Sequence, residues 1–85
     1  MTRQEILIEL KKVLSPYTLD KDALGKIEEN TDLIKDLKIN SANLVDIIID
    51  AETKYNIEID YDDADKMVNV GGCVDVIEEK VNQRI

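Results

Sequence analysis

Asn40-Ser41-Ala42-Asn43-Leu44-Val45-Asp46-Ile47-Ile48-Ile49-Asp50-Ala51-Glu52-Thr53-Lys54-Tyr55 is the stretch on which the fold turns. Its apolar residues recur at helical spacing, and Leu44, Ile48, Ala51 and Tyr55 form the stripe expected to face a core, so the pattern predicts a helix over residues 41–55. Asn40 and Ser41 are both of the residue types that cap helices. If Asn40 caps, Ser41 takes the first helical position with its hydroxyl free, at the positive end of the helix dipole where a phosphate is favoured. Ser41, Val45 and Ile49 then share one stripe of the helix, beside a second stripe of Ala42, Asp46 and Asp50.

Working outward, Thr2 and Glu5 have the spacing of a capping box, and Ile6, Leu10, Val13 and Leu14 follow with helical periodicity. Ser15-Pro16 stops that pattern, which predicts a first helix over residues 3–15. Residues 16–40 are broken and polar, and read as a long connection containing short helical turns. Connections of this length in small domains are often functional. After Tyr55, Ile57 and Ile59 read as an extended turn, a short third helix is expected around residues 61–67, and Asn69 is a cap for a fourth. Val70, Cys73, Val74, Ile77 and Val81 supply the buried face of that last helix, and Gly71-Gly72 is expected to weaken its first turn. The expected architecture is all-α: a four-helix bundle with a long loop between helices one and two and a short third helix.

Eighty-five residues suffice for one domain with one modest core, here a single domain over residues 1–85. There is no Phe or Trp, so the core must be built from Ile, Leu and Val. The formal net charge of −8 opposes binding to nucleic-acid phosphates or anionic lipid and favours partners with basic surfaces. Cys73 is the single cysteine, which excludes an intramolecular disulfide and fits a reducing cytoplasm; on the apolar face of the fourth helix it reads as a small buried hydrophobe. No apolar signal core follows the first residues and no run is long enough to span a bilayer, so a soluble, cytoplasmic monomer without membrane insertion is expected. Asp60, Asp62, Asp63 and Asp65 do not make a calcium loop, because Ala64 breaks the alternation of ligands and both the central Gly and the closing Glu are missing. They read instead as a solvated helix start, and no metal site is expected.

The chain has no histidine, so Ser41 lacks the usual base that would make it a nucleophile, and Lys38 alone does not resemble a hydrolase site. No enzymatic activity is expected. Any reaction at Ser41 is then performed by another enzyme that supplies the base. Asp36-Leu37-Lys38-Ile39-Asn40-Ser41-Ala42-Asn43-Leu44-Val45-Asp46 resembles the Asp-Leu-Gly-x-Asp-Ser-Leu-Asp-x-Val-Glu attachment motif of acyl carrier proteins. The similarity continues through Glu52-x-x-Tyr55-x-Ile57-x-Ile59, through Asp62-Asp63-Ala64-Asp65-Lys66-Met67, and into Val70-Gly71-x-x-Val74-Asp75-x-Ile77.

The resemblance implies the acyl-carrier type of four-helix bundle, with 4'-phosphopantetheine attached covalently to Ser41 and acyl intermediates of fatty-acid-like or polyketide-like biosynthesis carried on it as thioesters. It implies as partners a phosphopantetheinyl transferase and acyl-transferring and acyl-modifying enzymes with basic docking surfaces. Asn40, Ala42, Asn43, Val45, Asp46, Ile49 and Asp50 are the residues it places at the partner-facing surface. Lys38 stands where the family has Gly, Asn40 and Asn43 where it has Asp, and Ala42 where it has Leu. Fewer carboxylates and less apolar area beside the serine read as a specialised carrier serving a dedicated pathway. A peptidyl or aminoacyl carrier is the alternative within the class, although the glycine pair that often precedes the serine there is absent. An unmodified acidic helical adaptor is the alternative outside it.

Overall fold

The computed structural model describes residues 1–83, and among them the regular elements are helices, with one isolated antiparallel bridge between Asp32 and Asn69. Its helices are α1 (Arg3–Leu14), α2 (Lys21–Gly25), α3 (Leu44–Tyr55), α4 (Tyr61–Asp65) and α5 (Val70–Asn82), with a 3₁₀ turn over Ser41–Asn43 leading into α3. The starts of α1, α2 and α5 have local chemical reasons. Thr2 and Glu5 close the expected capping box on α1, Asp20 accepts from the Ala23 amide at α2, and Asn69 accepts from the Gly72 amide at α5. At the far end of α3, Asn56 takes the left-handed conformation (φ 53°) that asparagine tolerates better than most residues, and the helix stops.

Ile6, Leu10 and Leu14 of α1, Ile47, Ala51 and Tyr55 of α3, and Val70, Cys73, Val74, Val76 and Ile77 of α5 form one apolar core. Helix α3 departs from expectation in its phase and its start. Its deep stripe is Ile47-Ala51-Tyr55, while Leu44 and Ile48 are only half-buried and turn toward α4. The predicted start at residue 41 is a tighter turn, and the α-helix proper begins at Leu44. The third helix is shorter than expected and ends at Asp65, with Met67 buried in the turn beyond it. In α5, Val76 joins the core, and Val81 packs against its edge.

The long connection holds the expected helical turns, of which α2 is one, but it is less polar in its packing than in its composition. Leu24, Ile27, Leu33, Leu37 and Ile39 are all buried in the core. Thr18 fixes its middle by donating to the Leu37 carbonyl at 2.5 Å and accepting from the Asp20 amide at 3.2 Å. Backbone bonds then stitch it to the junction between α4 and α5: Leu33 N–H to Val68 O (3.2 Å), Val70 N–H to Thr31 O (2.9 Å) and Gly71 N–H to Glu29 O (2.7 Å).

That stitching explains the glycine pair, which sequence reasoning took only as a weakness. A Cβ on Gly71 would lie 2.8 Å from the Glu29 carbonyl oxygen, and one on Gly72 would lie 1.7 Å from that of Lys66. The first turn of α5 gives up helix propensity so that two backbones can approach it. Arg3 completes the closure from the other side: it pairs with Glu29 of the connection and with Asp75 (2.6 Å) and Glu78 (3.1 Å) of α5.

Candidate functional site

Three anchors hold the segment that delivers Ser41. Leu37 and Ile39 are buried on either side of Lys38, and the Ile39 amide donates to the Leu33 carbonyl at 3.1 Å. Asp32 organises the turn before them, accepting from the amides of Lys35 (2.8 Å) and Ile34 (2.9 Å), and those bonds hold its carboxyl below the ordinary aspartate range. Lys38 lies in the left-handed region at φ 58°, a conformation that glycine adopts without cost, which is the physical reason for a glycine in the attachment motif at this position.

Asn40 then caps the turn: its Oδ1 accepts from the Ala42 amide at 2.9 Å, and its carbonyl accepts from Asn43 at 2.8 Å. Ser41 is therefore free of capping. It is exposed at the first helical position, and among the described residues its hydroxyl has no hydrogen-bonding partner.

Beside Ser41 opens an apolar cavity of about 300 Å³ between α3 and α4. Leu33, Leu44, Ile47, Ile48, Ala64 and Met67 form its walls, and Asp65 is the one ionisable side chain among its described lining residues. A second groove of about 390 Å³ lies on the outer side of the same helix pair and shares Val45, Ile48 and Ala64 with the first. Sequence periodicity gives no sign of either cavity, because each needs α4 to be laid against α3.

The residues expected at a partner-facing surface lie along the turn that holds the serine and the helix that follows it. Asn40, Ala42, Asp46 and Asp50 are exposed, Asn43 is half-buried, and Val45 and Ile49 are large apolar side chains exposed by 61% and 51%. Asp50 has a second engagement that the sequence did not indicate: its carboxylate accepts from the Tyr17 hydroxyl at 2.5 Å. That bond, with partial burial and the neighbouring charges of Asp50 and Asp46, pushes the Tyr17 phenol up to about 12.

The acidic segment at α4 corrects one expectation. Asp62 and Asp65 are exposed, but Asp63 is buried, closing a capping box with Asp60 and forming an ion pair with Lys80 of α5 at 2.9 Å. The Lys80 hydrogen bond holds the Asp63 carboxyl below its ordinary range, and the same bond raises Lys80. No group of three or more Cys, Asp or Glu side chains is arranged to hold a metal ion among the described residues. Cys73 is fully buried, and burial pushes its thiol up to about 12, as suits a packing residue. Among the described residues no helix is long and apolar enough to cross a membrane.

The described residues thus form an all-α fold that presents a serine, its hydroxyl without a partner among them, at a helix start beside an apolar cavity and an acidic helix face. The chain is 34% identical to the acyl carrier protein of Thermotoga maritima, over 94% of this chain and 96% of that one. It is 35% identical to that of Lactobacillus acidophilus over 91% and 94% of the two chains. A solved structure of the acyl carrier protein from Enterococcus faecalis superposes with a TM-score of 0.74 at 26% identity, covering 94% of this chain and 99% of that one. No family model matches the chain. At these identities, over nearly the whole length, the chain belongs to the acyl carrier protein family.

Proposed function

We propose that this protein carries acyl intermediates of fatty-acid-like biosynthesis, tethered through a 4'-phosphopantetheine arm on Ser41, and has no catalysis of its own. The observation that carries the reading is the Ser41 hydroxyl, exposed and without a partner among the described residues, at the mouth of an apolar cavity of about 300 Å³. The site suits the group chemically. A phosphodiester at Ser41 lies at the positive end of the turn and helix that follow, and an apolar chain attached there has an apolar space beside it. When attached, the arm supplies a terminal thiol through which acyl groups are held as thioesters.

Every other part is played by the chain itself. Asn40 takes over the capping, so the serine is left available. With no histidine in the chain, the proton of the Ser41 hydroxyl must pass to a base on the modifying enzyme, a phosphopantetheinyl transferase. Leu44, Ile48 and Met67 shelter apolar cargo from water. Asp46 and Asp50 on the exposed face of α3 speed encounter with basic enzyme surfaces, because exposed charge raises association rate more than affinity. Asn40, Ala42, Asn43, Val45 and Ile49 complete the surface that those enzymes meet, and the work is done in the cytosol.

The test is intact-mass measurement after coexpression with phosphopantetheinyl transferases of several specificities. One added phosphopantetheinyl group is expected, lost in Ser41→Ala while the melting temperature stays within a degree or two. Modification that persists in Ser41→Ala, or that fragmentation maps to Ser15, would overturn the assignment.

A further inference from the structure

Lys38 precedes Ser41 closely in the chain and sits in the left-handed region at φ 58°, where a side chain is strained and glycine is not. Backbone strain of this kind clusters where a side chain serves a site. Buried Leu37 and Ile39 fix the backbone on either side, and Lys38 itself is exposed. Its ammonium is in no ion pair among the described residues, where Arg3 and Lys80 supply the cations of the pairs that form. The neighbouring carboxylate of Asp36 is engaged, accepting from the Asp32 amide at 2.7 Å. Asn40 and Asn43 are neutral where the attachment motif carries Asp, so the acids that would otherwise compensate a lysine here are missing. Lys35, by contrast, has the charge of Asp32 beside it. The turn that delivers the serine therefore carries one uncompensated cation, on a strained and well-anchored backbone.

We infer that Lys38 binds the phosphodiester of the arm attached at Ser41, and so is a positioning residue for the root of that arm. The inference rests on the carrier reading and adds to it a residue of this chain that meets the group. The backbone from Lys38 to Ser41 spans at most about 10 Å. A lysine carries its charge on a flexible four-carbon stem, and the ester extends from the serine to meet it. An ammonium is a compact point charge with rotatable donors, which suits phosphate oxygens whatever their orientation. The phosphodiester keeps its negative charge throughout the pH range in which the protein is folded, so the pairing does not depend on a titration. Modification thus turns an uncompensated cation into half of an ion pair. The glycine that the attachment motif has at this position offers no such group, and here the chain tolerates the strain that glycine would remove.

The experiment is a cycle of Lys38 substitution against modification, read on the full chain in melting temperature and in the phosphorus NMR resonance of the arm. Lys38→Gln removes the charge and keeps a side chain at the same φ, so the unmodified variant is expected to melt within about a degree of the wild type. Attachment of phosphopantetheine by a transferase is expected to raise the melting temperature of the wild type by about 2 to 4 °C more than that of Lys38→Gln, as an exposed ion pair does in a domain of this size. Lys38→Arg is expected to restore the difference. Lys35→Gln, which alters the net charge equally, is expected to behave as wild type. Salt at about 1 M, where the screening length is about 3 Å, is expected to abolish the difference. The phosphorus resonance of the modified protein is expected to shift in Lys38→Gln and not in Lys35→Gln. Equal gains on modification in wild type and Lys38→Gln would overturn the inference. A loss in Lys35→Gln as large as in Lys38→Gln would also overturn it, by assigning the effect to net charge. If intact mass shows no group added to the wild type, the carrier reading itself falls; a wild type that is modified but gains no more than Lys38→Gln leaves that reading standing and removes only the role of Lys38.

Discussion

Replacing Ile49 by Glu separates a docking face from a core face more sharply than any other single change in α3. Three isoleucines stand in a row at residues 47, 48 and 49, and the structure gives them different surroundings: Ile47 is 1% exposed, Ile48 is half-buried against α4, and Ile49 is 51% exposed. Burying a whole isoleucine is worth about 1.5 to 3 kcal/mol, so a side chain already half in water forfeits roughly 1 kcal/mol on replacement. Asp46 and Glu52, three residues away on either side, add like-charge repulsion of about 0.2 to 0.5 kcal/mol each. The expected cost of Ile49→Glu is therefore about 1 to 2 kcal/mol. At Ile47 the same substitution removes a fully buried side chain, a loss of about 2 to 5 kcal/mol, and adds the cost of a carboxyl without a partner in the core, several kcal/mol more. A domain of 85 residues has about 4 to 13 kcal/mol of stability in all. Ile47→Glu is expected to be unfolded or close to it, with Ile48→Glu between the two. Urea unfolding of the unmodified proteins, followed by circular dichroism, measures the stabilities, and acyl transfer from the modified proteins measures delivery to partners. Ile49→Glu is expected to keep a cooperative transition and to lose delivery. A fall in its unfolding midpoint as large as that of Ile47→Glu would show that Ile49 is core and that the reasoning from exposure is wrong.

Lys38→Gly is expected to stabilise the protein: the left-handed conformation costs a non-glycine residue about 1 to 2 kcal/mol, the extra freedom of glycine in the unfolded chain returns about 0.4 to 1, and the net gain of roughly 0.5 to 1 kcal/mol raises the melting temperature by a few degrees. An unchanged or lower melting temperature would refute the strain at this φ of 58°. Gly72→Ala is expected to cost about 2 to 3 kcal/mol, a fall in melting temperature of roughly 10 °C or more, because its Cβ meets a backbone carbonyl oxygen 1.7 Å away and not a flexible side chain. The Asp63–Lys80 pair sets a pH window. Asp63 is depressed when folded, so its contribution is present above the unfolded value near 3.9 and is lost as pH falls through the lower folded value; Lys80 is raised, so its contribution is present below its unfolded value near 10.4 and is lost as pH rises through the higher folded one. The difference in melting temperature between wild type and Lys80→Met is expected to be constant from about pH 5 to 9 and to shrink below about pH 4. A difference independent of pH down to pH 2 would show that the pair is not formed.

Helix content and the caps at Thr2 and Asn69 depend on interactions within a few residues, and for that reason the sequence by itself determined them; at Asn40 and Ser41 it offered two caps, and the structure decides for Asn40. A hydroxyl or amide oxygen reaches an amide two or three positions ahead whatever the rest of the chain does. The resemblance to an attachment motif was legible for a related reason, since its residues lie within five positions of Ser41. Which isoleucine of residues 47–49 enters the core was not legible. Three adjacent apolar residues cover more than half the circumference of a helix, and only the placement of α1 and α5 on one side and α4 on the other decides among them. The connection over residues 16–40 looked polar because its buried residues, Leu24, Ile27, Leu33, Leu37 and Ile39, follow no single period; an irregular backbone points side chains inward at irregular intervals. Asp63 looked solvated until Lys80, 17 positions on, was brought to within 2.9 Å of it. Gly71 and Gly72 looked like a defect until the carbonyls of Glu29 and Lys66 were found against them. The cavity beside Ser41 and the groove beside Tyr61 belong wholly to tertiary structure, because each is a space between elements, and a space has no residues of its own from which it can be read.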